Sequence, residues 1–434
     1  MSDPRTIIET SPMRPLQIAA VAVTIGLNAL DGFDVLSISF ASPGIAKEWG
    51  IDRAALGLVL SMELIGMAFG SVLLGGVADR IGRRPTILGC LTVMAIGMFL
   101  ATTAHDVVSL SIWRVLTGLG IGGMLAAINA VAAEFSNARR RGVALAVMVI
   151  GYPIGAALGG TFVSMLLKGG DWRVVFEFGA IVTACFIPLV WFLIPESIPY
   201  LADKRPPGAL EKINKTLSRF GHPAATELPP LQANSAKPSI TALFTPGLVA
   251  TTILVTIAYF AHMISFYFFI KWIPKIVTDL GFNPSLAGGV LVWANVGGAM
   301  GGAVFGLLTQ RISLKSLTIG ALLIGSVMII WFGRGASDLA TLATVAAAAN
   351  FFVNGAIVGL YSIFAYAFPT QLRATGTGFA IGVGRGGAAL APLVAGVLFQ
   401  AGYGLQIVAI IMATGSLLAA GTLSMLKLRE TAQG

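Results

Sequence analysis

Long apolar stretches of this chain contain ionisable residues, among them Asp31, Asp34, Glu63, Arg114 and Arg385. Asp31 and Asp34 are three residues apart, so on a helix both carboxyl groups face the same side. Two carboxyl groups held this close together and away from water favour sharing a proton, and they titrate as a coupled pair. The spacing therefore predicts a proton-binding site at Asp31 and Asp34. The alternative is a structural pair that an arginine neutralises.

The two arginines can neutralise an acid or bind an anion, because a guanidinium stays charged and can hold a carboxylate through two parallel hydrogen bonds. Arg385 lies at the centre of its apolar stretch, and the glycines around it leave room for a ligand. We therefore expect Arg385 to bind a substrate carboxylate, with a helix-packing ion pair as the alternative. Arg114 could contribute to the same binding or to gating. Glu63 either carries a second proton or pairs with Arg114.

Other side chains in the apolar stretches could bind a ring or its hydroxyl groups. Aromatic rings can stack on a ring, amides can bind a hydroxyl, and a histidine titrates near neutral pH. For each of them the alternative is ordinary packing or a hydrogen bond between helices. The substrate-binding candidates are Asn28, Tyr152, His262, Phe266, Tyr267, Trp293, Asn295 and Tyr361.

The elements that must position these residues are membrane-spanning helices. The chain is 56% hydrophobic and 11% charged, whereas soluble proteins carry about 25% charged residues. Its apolar stretches have the length of about 20 residues that a helix needs to cross a bilayer, and lipid leaves no partner for an open backbone. We therefore predict an all-α membrane protein. The predicted spans are 17–41, 54–78, 86–104, 109–133, 143–167, 174–194, 247–271, 286–309, 315–333, 338–361, 374–398 and 404–426.

The distribution of charge indicates the topology. A formal net charge of +9 could suggest nucleic acid, but the basic residues concentrate in the segments on one side of the predicted spans, as in Arg139–Arg141. Fewer lie on the other side, among them Lys47, Lys271 and Lys275. The positive-inside rule then places both termini in the cytoplasm and the chain in the inner membrane, with no nucleic-acid partner. The long polar segment 195–246, with a short amphipathic helix, divides six-helix bundles at 1–194 and 247–434.

The two halves resemble each other and a known family. Residues 75–84 read GGVADRIGRR, and the corresponding segment 306–315 reads GLLTQRISLK. The first segment resembles the loop signature of the major facilitator superfamily, and RVLTGLG at 114–120 and PES at 195–197 resemble two further motifs of that superfamily. The run DGFD at 31–34 is similar to the signature of the aromatic acid:proton symporter family, which also has an arginine at the position of Arg385.

The resemblance implies two pseudo-symmetric six-helix bundles and a cytoplasmic charge cluster that governs switching between states. The gating candidates are Asp79, Arg80, Arg83, Arg84, Glu134 and Arg140. It also implies import of a small aromatic carboxylate with protons by alternating access, and we expect the protein to be a monomer. The fifth span reads GYPIG at 151–155, which departs from the pattern of drug/proton antiporters. A proton-driven exporter is the alternative, and a sensor without transport is a third.

Several kinds of function have no motif here. The chain has no phosphate-binding Gly-x-x-x-x-Gly-Lys-Ser/Thr run, so ATP drive is not expected. It also has no cluster of metal ligands and no nucleophile placed beside a base. We therefore expect no enzymatic activity, no metal and no cofactor other than protons as the coupling ion.

Overall fold

A computed structural model describes residues 3–229, 239–369 and 371–426. Within these ranges the chain forms helices and no β-strand. The helices are α1 (Pro4–Thr10), α2 (Pro15–Trp49), α3 (Arg53–Leu74), α4 (Val77–Ile81), α5 (Arg83–Ala101), α6 (Val107–Glu134), α7 (Ala138–Leu166), α8 (Arg173–Leu193), α9 (Ile198–Lys204), α10 (Ala209–Arg219), α11 (Val249–Asp279), α12 (Pro284–Leu308), α13 (Leu314–Phe332), α14 (Leu339–Ala367), α15 (Arg373–Gln400) and α16 (Leu405–Met425).

Twelve of the described helices are long and apolar enough to cross a membrane, which confirms the predicted fold class. Several extend beyond the predicted spans, since α2 continues to Trp49 and α11 to Asp279. The helices begin and end at residues with a local reason to do so. The carboxylates of Asp106 and Asp338 accept backbone hydrogen bonds at the starts of α6 and α14, and hydrogen bonding lowers the pKa of both carboxyls.

The two halves of the chain use the same packing pattern. In the first half α2 packs on α7 and α8, α3 on α6, and α5 on α6 and α8. In the second half α11 packs on α15 and α16, α12 on α14, and α13 on α14 and α16. The halves meet where α3 contacts α15, α7 contacts α12, and α2 contacts α11. A parallel repeat of this kind places a binding site between the halves near mid-membrane.

The segment after α8 packs on the first half. Phe220 lies edge-to-face on Phe135, with ring centroids 5.3 Å apart, and Nε2 of His222 lies 3.1 Å from Oε1 of Gln17. Partial burial lowers the pKa of His222. The predicted amphipathic helix is α10, while residues 230–238 of the predicted linker lie outside the described residues. We call the end of the molecule that holds α1, α9 and α10 the linker side, and the opposite end the far side.

Contacts on the far side hold the two halves together. A Cβ atom on Gly57 of α3 would lie 2.6 Å from the carbonyl oxygen of Pro392 on α15, so only glycine allows this approach. Arg53 forms an ion pair with Asp279 at 3.1 Å. The Ser285 hydroxyl donates a hydrogen bond to the Ser164 carbonyl at 2.6 Å.

The linker-side ends of the same helices carry exposed apolar side chains. Val72 on α3 is 79% exposed and Leu307 on α12 is 66% exposed. A Cβ atom on Gly382, one turn before Arg385 on α15, would meet no atom within 4 Å. The close contacts between the halves described above thus lie on the far side, whereas the α15 backbone at Gly382 has open space beside it.

Candidate binding site for protons and an anion

The predicted acidic pair lies on α2, the helix of the first half that contacts α11 of the second half. Asp31 is 1% exposed and Asp34 is fully buried. Both carboxyl oxygens of Asp31 are buried without a hydrogen-bond partner among the described residues, while Oδ2 of Asp34 accepts a hydrogen bond from the Thr183 hydroxyl at 3.4 Å. Most buried polar atoms in proteins have a partner. The carboxyl of Asp31 is therefore available to a proton or a ligand.

Glu63 lies between two cations. One oxygen of its carboxylate forms an ion pair with Arg114, and the other lies 3.3 Å from Nζ of Lys271. All three side chains are fully buried. Arg114 also donates a hydrogen bond to the carbonyl oxygen of Asp34 at 3.0 Å. Of the two predicted readings of Glu63, the structure therefore shows the ion pair with Arg114.

The placement of Lys271 corrects a prediction. The charge pattern put this lysine outside the membrane, at the far-side end of the predicted span 247–271. In the structure α11 continues past Lys271 for two further turns to Asp279, and Lys271 lies inside the protein. The signal was present in the sequence, because apolar residues 272–274 and 276–277 follow the lysine.

Arg385 lies on the opposite side of the interface from the acids. It is half-buried on α15, and its Nη1 donates a hydrogen bond to the carbonyl oxygen of Met67 on α3 at 3.2 Å. It interacts electrostatically with Asp31, Tyr259 and Tyr267. Among the described residues it forms no ion pair. Its remaining N–H groups can therefore bind an anion.

Tyrosines surround this arginine. The Tyr259 hydroxyl lies 3.1 Å from the Tyr361 hydroxyl, and the ring of Tyr259 covers the backbone at Gly384. Tyr152 on α7 interacts with Tyr267 on α11 and with Asp31. The structure therefore gathers the predicted Tyr152, Tyr267 and Tyr361 near the charged groups. Tyr259 was not among the residues predicted from the sequence.

Phe266 packs beside this group. Its ring lies edge-to-face on Tyr267, with centroids 5.0 Å apart, and its side chain is 7% exposed. It supports the position of the Tyr267 ring.

Three other candidates, His262, Asn28 and Asn295, have hydrogen-bond partners within the protein. Both ring nitrogens of His262 have partners, the Ser416 hydroxyl at 2.8 Å and the Val353 carbonyl at 3.0 Å, so this histidine joins helices of the second half. The amide nitrogens of Asn28 and Asn295 donate to backbone carbonyls, at 2.5 Å and 2.8 Å. A buried amide must satisfy its donors, and these do so within the protein.

Trp293 lies on the outer surface of the helix bundle. It is 57% exposed and shares one face of α12 with Met300 and Leu307, which are also exposed. An apolar row of this kind is the face that lipid contacts in a membrane protein. The structure gives no support to the predicted role of Trp293 in ligand binding.

The predicted gating residues form a charge cluster on the linker side. Arg83 pairs with Asp79 at 3.1 Å and lies 3.4 Å from Glu134. Arg84 donates a hydrogen bond to the Trp191 carbonyl at 2.7 Å. The side chains of Arg80 and Arg140 are exposed. The role of this cluster in switching stays a prediction.

Glu196 is a central member of this cluster. In the sequence it was recognised only as part of the PES motif at 195–197. Its carboxylate accepts hydrogen bonds from the backbone N–H groups of Arg83 and Ser197, both at 2.8 Å. The backbone of Gly82 has φ +110°, and a Cβ atom there would lie 2.2 Å from the Glu196 carboxylate. The turn between α4 and α5 therefore requires glycine.

Comparisons with known proteins agree with this architecture. The chain is 28% identical to a gallate transporter of Pseudomonas putida, over 93% of this chain and 90% of the relative. It is 29% identical to a 4-hydroxybenzoate transporter of the same organism, over 89% and 87%. The crystal structure of a D-xylose-proton symporter has the same fold, with a TM-score of 0.72 at 18% identity over 95% of this chain and 98% of that chain. The family model of the Major Facilitator Superfamily matches residues 24–333, and this chain belongs to that superfamily.

Proposed function

We propose that this protein imports a small aromatic carboxylate together with protons by alternating access, with no catalytic step. The relatives named for gallate and 4-hydroxybenzoate support this substrate class, because both compounds join a carboxylate to a hydroxylated ring. We place the protein in the inner membrane with the linker side in the cytoplasm, on the positive-inside rule. The monomeric state stays a prediction.

The proposal rests on one observation. An arginine that can bind an anion and a carboxyl group that can bind a proton belong to different halves and interact with each other. Among the described residues Arg385 forms no ion pair, and Asp31, with which it interacts electrostatically, has two buried oxygens without a hydrogen-bond partner. A substrate carboxylate fits the guanidinium, which can bind it through two parallel hydrogen bonds. A proton fits the carboxyl of Asp31, which lies away from water.

The same pairing couples the two ligands. A buried carboxylate at Asp31 stabilises the Arg385 guanidinium and competes with a substrate carboxylate for it. A proton on Asp31 removes that competition, and Asp34 provides a second carboxyl in the same buried group. Substrate and proton therefore favour each other's binding, as a symporter requires.

The energetics favour coupling as well. An anion that enters a cell against a potential of 100 mV meets an opposing free energy of about 2.3 kcal/mol per charge. One accompanying proton cancels this term, and the pH gradient then drives uptake. Tyr152, Tyr267, Tyr259 and Tyr361 offer ring faces and hydroxyls near Arg385 for the aromatic part of the substrate.

Export of cationic drugs, the alternative predicted from the sequence, has less support. A half-buried arginine repels a cation, and both relatives named above are transporters of aromatic acids.

The test is ligand binding by the purified protein, measured by calorimetry. We expect 4-hydroxybenzoate to bind and 4-hydroxybenzyl alcohol, which lacks the carboxylate, to bind far more weakly. Arg385→Ala should weaken binding of the acid by about 30-fold or more, since losing one partner of a buried charge pair costs about 2 kcal/mol or more. The matched control is Trp293→Ala on the outer surface, which should bind as the wild type does.

Transport completes the test. In proteoliposomes, accumulation of labelled 4-hydroxybenzoate should follow an imposed pH gradient and collapse with a protonophore. Equal binding of acid and alcohol, or unchanged affinity in Arg385→Ala, would reject the role of the carboxylate.

A further inference from the structure

Lys271 belongs to one half of the protein, but the described polar partners of its ammonium belong to the other half. It lies on α11, and its ammonium donates a hydrogen bond to the carbonyl oxygen of Val35 on α2. The same ammonium lies 3.3 Å from Oε2 of Glu63 on α3. The contact therefore joins α11 to two helices of the first half.

This contact differs from the ion pair at the far-side rim. The side chains of Arg53 and Asp279 are 43% and 32% exposed, whereas those of Lys271 and Glu63 are fully buried. Exposed ion pairs contribute little to stability. Removing one partner of a buried pair leaves an uncompensated charge away from water, which is costly. The buried contact therefore has the larger effect on how the halves are held.

The charge of Glu63 does not depend on Lys271 alone. Arg114, which belongs to the same half as Glu63, pairs with the other carboxylate oxygen. Glu63 therefore keeps a counter-ion when the halves separate, but Lys271 does not. Lys271 is the group for which separation of the halves is costly.

Separation on the far side must break this contact. A vestibule of about 1330 Å³ opens on the far side, and Lys275, one helical turn beyond Lys271, contributes to its wall. Leu56 and Arg53 at the start of α3 also contribute to it. Moving α11 away from α2 and α3 extends this vestibule to Lys271, where water then replaces Glu63 and Val35 as its partner.

We propose that Lys271 is a positioning residue that holds the far side of the transport path closed through its contact with Glu63 and Val35. The inference rests on the proposed transport function for its consequence, because a symporter must close the far side after loading. The structural part of the inference, closure of the far side through Lys271, does not depend on a substrate. Loss of the ammonium should shift the resting protein toward a state open on the far side.

The experiment measures the distance between spin labels on the two halves. His105 and Ser337 are exposed in far-side loops of the first and second half, and cysteines there can carry the labels. The exposed Cys185 is first replaced by serine, whereas Cys90 is buried. Distances are recorded by double electron–electron resonance in lipid nanodiscs without substrate.

Lys271→Met should lengthen the distance and raise the ratio of far-open to far-closed protein by about tenfold, a shift that a single contact can produce. Lys271→Arg should restore the wild-type distances, because a guanidinium keeps the charge and the donors. The matched control is Lys275→Met, which removes the same charge one turn away on the same helix and should leave the distances unchanged. If Lys271→Met does not fold, Lys271→Gln takes its place.

Wild-type distances in the Met or Gln variant would overturn the proposal. An equal opening in Lys275→Met would do the same, because it would show a general effect of charge. Transport adds a second readout. The maximal rate of uptake should fall in Lys271→Met and recover in Lys271→Arg. Failure of the wild type to bind aromatic acids would reject the proposed substrate but leave the distance result standing.

Discussion

At the scale of single residues, the site depends on the difference between two acids that the sequence alone cannot separate. Glu63 has cations on both of its oxygens, so its charge is compensated in the structure. Asp31 has no hydrogen-bond partner on either oxygen among the described residues. We therefore propose that Asp31 and its neighbour Asp34, rather than Glu63, bind the coupling proton.

Replacing Asp31 by Asn tests this assignment. The amide keeps the shape of the carboxyl and stays neutral at every pH, so it imitates the protonated state and cannot release the proton. We expect uptake driven by a pH gradient to be lost, while exchange of labelled for unlabelled substrate across the membrane continues. Both are measured in proteoliposomes, with exposed Asp171→Asn as the control. Concentrative uptake at the wild-type level in Asp31→Asn would show that another group carries the proton.

The sequence predicted the charged residues of the site better than their neighbours. Asp31, Asp34 and Arg385 were found because a charge within an apolar stretch is rare and costly. Lys271 was missed because it lies at the end of such a stretch. There, a shift of one helical turn in the predicted end of the span changes the expected position of a side chain from water to the interior. The role of Trp293 stays a prediction without structural support, since residue type in a uniformly apolar helix does not reveal which face meets lipid.

At the scale of helices, the far side closes because α3 and α15 approach to backbone contact. Gly57 lies against the Pro392 carbonyl, and a Cβ atom on Gly396 would lie 2.5 Å from the carbonyl oxygen of Arg53. The glycines form part of a surface that must come together and separate in each cycle. The existence of these helices was predictable from their composition, but their contact was not, since it depends on two segments more than 300 residues apart in the chain.

Gly57→Ala should therefore impair closing of the far side. The added methyl group collides with backbone, and overpacking of this kind costs about 1–3 kcal/mol. We expect the maximal rate of uptake to fall, and a cysteine at Ser61 on the same helix to become more reactive toward a water-soluble maleimide added from the far side.

The control is Gly89→Ala on α5, where a Cβ atom meets nothing within 4 Å. Alanine is a better helix former than glycine, so this variant should be at least as stable as the wild type. Equal behaviour of the two variants would exclude the close approach as the cause.

At the scale of the whole molecule, the charges in the membrane interior balance. Among the described residues, the ionisable groups of the candidate site are three acids, Asp31, Asp34 and Glu63, and three bases, Arg114, Lys271 and Arg385. The sequence-based count had only two bases, because Lys271 was placed outside. A balanced interior fits an inserted protein, because an excess of either sign would be costly in a medium of low dielectric constant.

The balance predicts the stoichiometry of transport. A monovalent aromatic carboxylate adds one negative charge to the site, and one proton restores neutrality, so we expect one proton per anion and no net charge movement. In proteoliposomes each unit of imposed pH difference should then sustain an accumulation of about tenfold, since one pH unit and a tenfold concentration ratio carry the same free energy. A membrane potential set by potassium and valinomycin should leave the final accumulation unchanged. Greater accumulation with a negative interior would mean that more than one proton enters with each anion, and that a second acid besides Asp31 titrates in each cycle.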